Sequence, residues 1–142
     1  MKIAISATAP NLNADIDPRF GRCQRFIIAD PDTLKFKALE NSNASAGGGA
    51  GIATAQTLAK EKIDAVITGN CGPNAYEVLE AAGIKVITGA SGKVKDAIED
   101  YKAGKLQAST QPNVAGHFGT GGGMGRGRGM GQGGGMGRSK YN

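Results

Sequence analysis

The sequence lacks tryptophan, and aromatic residues make up only 5% of its 142 residues. A hydrophobic core must therefore be built from aliphatic side chains, which a chain of this length can supply without disulfides or a structural metal. No apolar run approaches the roughly 20 residues that a membrane-spanning helix needs, and the N-terminal MKIAISAT is too short for the apolar region of a signal peptide. These absences predict a cytoplasmic protein of one domain.

Residues that bind metals or act as nucleophiles are also scarce. The two cysteines, Cys23 and Cys71, form no CxxC pair and are expected to be free thiols in a reducing cytoplasm. The one histidine, His117, lies far from both in the sequence, so a Cys–His catalytic pair is not expected. Asp15, Asp17 and Asp30 are too scattered in the sequence for a paired-carboxylate site. The sequence therefore does not predict an enzyme.

The composition changes near Gln111. Residues 111–142 contain no acidic residue and 13 of the chain's 24 glycines, which predicts a disordered tail after a folded domain at residues 1–110. The tail carries +4 of the net charge of +5, so the domain is close to neutral and shows no footprint for a polyanion. Nucleic acid is therefore not the expected partner of the domain.

The tail leaves three interpretations open. Met124, Met130 and Met136 recur every six residues, and thioethers are ligands suited to Cu(I). The segment GRGRG, with Arg126 and Arg128, is instead typical of tails that bind nucleic acid. The third interpretation is a solubilising extension of low complexity.

Apolar runs and turn residues predict an α/β fold with the element order βββαβαβα. Two strands that feed helices leading to further strands imply parallel pairing, and an initial hairpin adds antiparallel strands. The predicted strands span residues 2–6, 25–30, 34–40, 64–69 and 84–89. Two predicted helices span residues 52–62 and 73–82, and a third is capped by Ser91 and closed by Gly104.

Three loops are expected to meet at the carboxyl edge of this sheet, where ligands bind in open α/β folds. They are residues 7–21, the glycine loop at 47–51, and TGNCGPN at 68–74. The last two precede helices, whose free N–H groups and dipoles favour an anion. Nucleotide binding is not favoured, because Thr54 stands where a third glycine would complete GxGxxG and no GK[ST] follows.

The two cysteines lie in these loops, and each has alternative interpretations. At a helix start, Cys71 is expected to have a lowered pKa and could be a soft metal ligand, or it could be a small residue that fits a tight turn. Cys23 ends the segment DPRFGRC, in which Arg19 and Arg22 flank a Phe-Gly turn. The two arginines could hold an oxyanion or a sulfide-rich cluster, or be ordinary surface arginines.

In combination, FGRC, the run GGGAGIATAQTLAKEKIDAVITGNCGPNAYEVLEAAGIKVITGASGKVKDAIEDYKAGKLQ and the glycine tail resemble the dinitrogenase iron–molybdenum cofactor biosynthesis family. The resemblance covers about residues 1–110. It implies a ribonuclease H-like fold with a mixed five-stranded sheet of order 3-2-1-4-5, the second and third strands being antiparallel. The carboxylates of ribonuclease H are not found here, so nuclease activity does not follow from the fold.

The family implies non-catalytic binding or carriage of an anionic metal–sulfur cluster in metallocluster assembly. The cluster would contain molybdenum, iron or both, with copper as a further possibility, and its donor and acceptor proteins would be the partners. An alternative is a nucleic-acid or protein-interaction module acting through the RG-rich tail. Carried over by position, the expected contacts are Arg19, Phe20, Gly21, Arg22, Gly48, Gly49, Gly51, Asn70, Gly72 and Asn74, with Cys23 and Cys71 as metal ligands.

This chain departs from the family pattern at one of these positions. Many members have His where Arg19 stands. The resemblance then implies either that Cys23 or Cys71 serves as a ligand, or that charge and hydrogen bonds alone hold the cluster.

Overall fold

The computed structural model describes residues 1–43 and 49–109, and the tail predicted at 111–142 lies outside them. The element order is the predicted one, with shorter strands. The elements are β1 (Ile3–Ala7), β2 (Arg25–Ala29), β3 (Phe36–Glu40), α1 (Ala50–Lys60), β4 (Ala65–Ile67), α2 (Pro73–Ala81), β5 (Lys85–Ile87) and α3 (Val94–Lys102).

The five strands form one mixed sheet in the order β3-β2-β1-β4-β5. β1 pairs antiparallel with β2 and parallel with β4, so it lies at the centre. β2 and β3 close the hairpin, and β4 and β5 continue the parallel half. The predicted α/β class and strand order are confirmed, and the ribonuclease H-like classification stays a prediction.

Alternating side chains of the strands feed two hydrophobic clusters, one on each face of the sheet. Ala4, Ile28 and Val66 pack with α1 and α2 on one face. Ile5 and Ile27 pack with α3 on the other face. All five residues of β1 are buried, as expected for a strand covered on both faces. The core is mainly aliphatic, as predicted from the scarcity of aromatic residues.

The bounds of α1 differ from the predicted ones because of the backbone conformation of the residues that flank it. The helix begins at Ala50 instead of residue 52, because Gly49 adopts a left-handed φ of 92° and starts the helical turn. It ends before Lys62, whose φ of 58° is also left-handed and cannot continue a helix. Within the described residues, no helix is long and apolar enough to cross a membrane.

The packing of α2 generates a test of the core. Leu79 is fully buried on the inward face of α2. Leu79→Ala should therefore lower the free energy of unfolding by about 2–5 kcal/mol, because apolar burial is lost and a cavity remains. Glu77→Ala, on the exposed face of the same helix, should change it by less than about 0.5 kcal/mol. Urea unfolding followed by circular dichroism measures both. Equal effects would contradict the assignment of α2's buried face.

Candidate functional site

Two of the three loops expected at the carboxyl edge pair directly with each other. Arg19 and Asn70 form an isolated parallel β-bridge. The N–H of Asn70 donates to the carbonyl of Pro18 over 2.8 Å, and the N–H of Phe20 donates to the carbonyl of Asn70 over 3.2 Å. The segment that contains the Phe-Gly turn is therefore joined to TGNCGPN by backbone hydrogen bonds.

Two glycines allow this approach by leaving no side chain between the backbones. A Cβ on Gly69 would lie 2.7 Å from the Cα of Pro18, and a Cβ on Gly21 would lie 2.7 Å from the Cα of Gly51. Both distances are shorter than a Cβ can tolerate. Gly51 in turn lies against α2, since its own Cβ would be 3.4 Å from the Cβ of Ala75. The Phe-Gly turn and the starts of α1 and α2 therefore meet, as predicted.

A buried pair of polar side chains that sequence reasoning missed fixes the turn from the other side. Asn41 Nδ2 donates to the carbonyls of Gly21 at 3.3 Å and Cys23 at 2.8 Å. Thr54 Oγ1 lies 3.2 Å from Asn41 Oδ1, to which it donates. Both residues are buried, at 9% and 1% exposed. A polar residue on the inward face of α1 was the available signal, because a buried hydroxyl requires a partner.

A second buried polar group, also missed, links β1 to the loops. Ser6 Oγ lies 2.6 Å from the carbonyl of Asp17, to which it donates, and 2.8 Å from Thr68 Oγ1. The N–H of Asp17 donates to the carbonyl of Ser6 over 2.8 Å. The first loop is thereby tied to the ends of two neighbouring strands just below the site.

Asp17 also holds Arg19. The Asp17 carboxylate, whose side chain is 6% exposed, accepts from the backbone N–H of Arg19 at 2.9 Å and from its Nε at 3.2 Å. Nη2 of Arg19 donates to the second carboxylate oxygen over 3.3 Å. The hydrogen bond and charge of Asp17 raise the pKa of Arg19 above its ordinary value. The guanidinium stays charged and is held at the rim of the site, still mostly open to solvent.

The starts of α1 and α2 are suited to an anion. Gly49 and Gly72 are the N-cap residues, and neither helix has a side-chain cap hydrogen bond or an acidic residue in its first turn. Pro73 occupies the first position of α2. The positive ends of both helix dipoles therefore meet the Phe-Gly turn without a carboxylate in the first turn of either helix to neutralise them.

The environment of the cysteines corrects one prediction. Cys23 and Cys71 are free thiols, as predicted, but they are buried in the core at 0% and 1% exposed. Burial raises the pKa of each thiol to about 12, so the lowered pKa expected for Cys71 is wrong. Desolvation of the thiolate outweighs the helix terminus, and the charge of Asp17 raises the pKa of Cys23 further. Cys23 Sγ donates to the carbonyl of Phe20 over 3.3 Å.

The predicted site residues are mostly brought together. Direct contacts join five of them: Arg19, Phe20, Gly21, Gly51 and Asn70. Three more lie at helix starts: Gly49, Gly72 and Asn74. Arg22 is exposed beside the turn, and Gly48 lies outside the described residues. Over residues 1–43 and 49–109, no group of three or more His, Cys, Asp or Glu could hold a metal ion. Ligation by Cys23 and Cys71 stays a prediction, which their burial and protonation disfavour.

Comparison with known proteins agrees with the resemblance and confirms it. The model of a family described as dinitrogenase iron-molybdenum cofactor matches residues 1–104. The uncharacterized protein MJ0580 of Methanocaldococcus jannaschii is 32% identical over 110 residues, which cover 75% of this chain and 90% of that protein. The apo orange protein from Desulfovibrio gigas has a TM-score of 0.77 and 36% identity, covering 80% of this chain and 96% of its own. TM1290 from Thermotoga has a TM-score of 0.65 and 34% identity, and the match covers 75% of this chain and 91% of that one.

The close approach of the turn to α1 can be tested with two glycines. Gly21→Ala should lower the free energy of unfolding by about 1–3 kcal/mol, because the new Cβ must push the start of α1 away. Gly51→Ala adds the same methyl group at an ordinary contact distance and gains helix propensity, so stability should be unchanged or higher. Thermal and urea unfolding would measure both. A neutral Gly21→Ala variant would contradict the contact.

The buried thiols predict a loss of stability at alkaline pH. The pKa of each thiol is about 12 in the folded protein against an ordinary 9.0, so the unfolded chain loses these protons first. Their contribution is complete below pH 9 and declines as the pH rises toward 12. The urea midpoint should fall across this window, and less steeply in a Cys23→Ala/Cys71→Ala variant. Parallel pH profiles for the two proteins would refute thiol burial.

Proposed function

The chain belongs to the dinitrogenase iron–molybdenum cofactor family, and we propose that it binds and carries an anionic metal–sulfur cluster without catalysing a reaction. The observation that carries this proposal is the meeting of two helix N-termini and the Arg19 guanidinium around one Phe-Gly turn. Each of these groups stabilises negative charge.

The chemistry of the site favours an assembled anion over a free metal cation. A cation would need deprotonated thiols or grouped carboxylates, but both thiols are protonated at neutral pH. The buried carboxylate of the site, that of Asp17, is engaged by Arg19. A sulfide-rich anion needs only positive charge and N–H donors, which the turn and the helix starts provide.

The cluster is held mainly by hydrogen bonds and charge in this proposal. Glycines at the helix starts let its sulfides approach the backbone. Ligation by Cys23 or Cys71 is the less favoured alternative. Both thiols lie in the core, so either would have to lose its proton and reach the surface to bind a metal. The cargo class comprises precursors of the iron–molybdenum cofactor, molybdenum–copper sulfides and iron–sulfur clusters, exchanged with donor and acceptor proteins in the cytoplasm.

The alternative function, an interaction module acting through the RG-rich tail, has no structural observation in its favour. The arginines and methionines on which it depends lie outside the described residues.

Anaerobic reconstitution tests the proposal. The full chain is titrated with tetrathiomolybdate, with and without Cu(I), and separately with an iron–sulfur reconstitution mixture, and is then desalted. Metal analysis and visible spectra should show one cluster or thioanion retained per chain. A Cys23→Ala/Cys71→Ala variant should retain the same amount, because the thiols are not ligands in this proposal.

Three outcomes would count against it. If the cysteine variant loses metal while circular dichroism shows that it is folded, the thiols ligate the cluster and hydrogen bonds alone do not hold it. Loss from a full-length variant with Met124, Met130 and Met136 changed to Leu would move the site to the tail. If no protein retains metal, cluster carriage fails for this chain.

A further inference from the structure

The ion pair between Asp17 and Arg19 sits at the joint between the first loop and TGNCGPN. We propose that Arg19 is the side chain that recognises the cargo, a thioanion with terminal sulfides, and that Asp17 is the positioning residue that presents it. This inference rests on the proposed function. It assigns a role to a carboxylate that an anion site would otherwise be expected to exclude.

The pair leaves a defined part of the guanidinium for a ligand. Asp17 accepts from Nε at 3.2 Å and from Nη2 at 3.3 Å, so it covers one edge of the guanidinium plane. Neither of these two hydrogen bonds uses Nη1. The side chain of Arg19 is 59% exposed, so the N–H groups on the uncovered side are open to an anion. Two adjacent N–H groups match a fork of terminal sulfides or oxides.

The support behind Arg19 is rigid. Its backbone N–H donates to the same carboxylate over 2.9 Å, and its backbone is bridged to Asn70. Asp17 is itself held by two hydrogen bonds to Ser6, one from its N–H and one to its carbonyl. A long arginine side chain is normally mobile at a surface, and binding must then immobilise it. Here the carboxylate has already restricted it.

Asp17 therefore has two opposite effects on an anion, and substitution separates them. Asp17→Asn removes a negative charge beside the site, which by electrostatics alone should tighten anion binding. It also releases the guanidinium, so binding must then immobilise the Arg19 side chain and lose its conformational entropy. We expect the second effect to dominate, because Asp17 is neutralised by Arg19 at close range. Its net repulsion of the cargo is correspondingly small.

The matched control is the second arginine–carboxylate pair. Glu40 Oε2 accepts from Arg25 Nε over 3.2 Å, and Glu40 is exposed on β3. Glu40→Gln makes the same change in net charge and breaks a similar ion pair that does not include a residue of the Phe-Gly turn. It should leave thioanion affinity unchanged or slightly higher.

The experiment measures the affinity of the full chain for tetrathiomolybdate under anaerobic conditions, well below the unfolding temperature of every variant. Asp17→Asn should bind about two- to tenfold more weakly than wild type, and Glu40→Gln should not. Arg19→Gln should also weaken binding. In an Arg19→Gln background, Asp17→Asn should produce no further weakening, because Asp17 acts through Arg19.

Each of the other possible outcomes contradicts one part of the proposal. Tighter binding by Asp17→Asn would mean that charge, and not positioning, is its role. Equal weakening in both backgrounds would assign Asp17 a general structural role. If wild type binds tetrathiomolybdate and Arg19→Gln binds equally well, Arg19 does not recognise the cargo. If wild type binds neither this thioanion nor a reconstituted cluster, the proposed function itself has failed.

Discussion

The candidate site depends on two places where backbone meets backbone with no side chain between them. Gly69 lies against Pro18, and Gly21 lies against Gly51. These contacts bring the Phe-Gly turn within reach of two helix N-termini that leave from different strands. A Cβ at either glycine would lie 2.7 Å from the opposing backbone and force the segments apart, so the electrostatic character of the site depends on the absence of these two side chains.

Buried polar groups then hold this arrangement in one conformation. Asn41 donates to the carbonyls of the turn from the core side, Thr54 donates to Asn41, and Ser6 holds the loop that carries Asp17. Such groups are costly to bury unless they are paired, and once paired they restrict the backbone to a single geometry. Paired buried polar groups thus hold the base of the site, and the exposed Arg19 guanidinium lies at its rim.

The same core explains why the cysteines do not act as the sequence suggested. A thiolate in Cys71 would gain from the helix terminus but lose its hydration, and burial prevails by raising its pKa to about 12. In Cys23 the nearby carboxylate acts in the same direction as burial. In the proposed function, positive charge at the surface and protonated sulfur beneath it suit an anion that arrives already assembled.

The sequence by itself determined the order of elements, the mixed sheet and the meeting of three loops at its carboxyl edge. Hydrophobic periodicity and Gly/Pro placement are local signals, and parallel pairing brings strand ends together. Only the tertiary structure decided the partners of single side chains. Asn41 reaches Gly21 across 20 residues of sequence, and the burial of Cys71 depends on packing between α1 and α2. Long-range packing sets desolvation and hydrogen bonding, which is why the thiol pKa and the hydrogen bonds of Asn41 could not be predicted from local patterns.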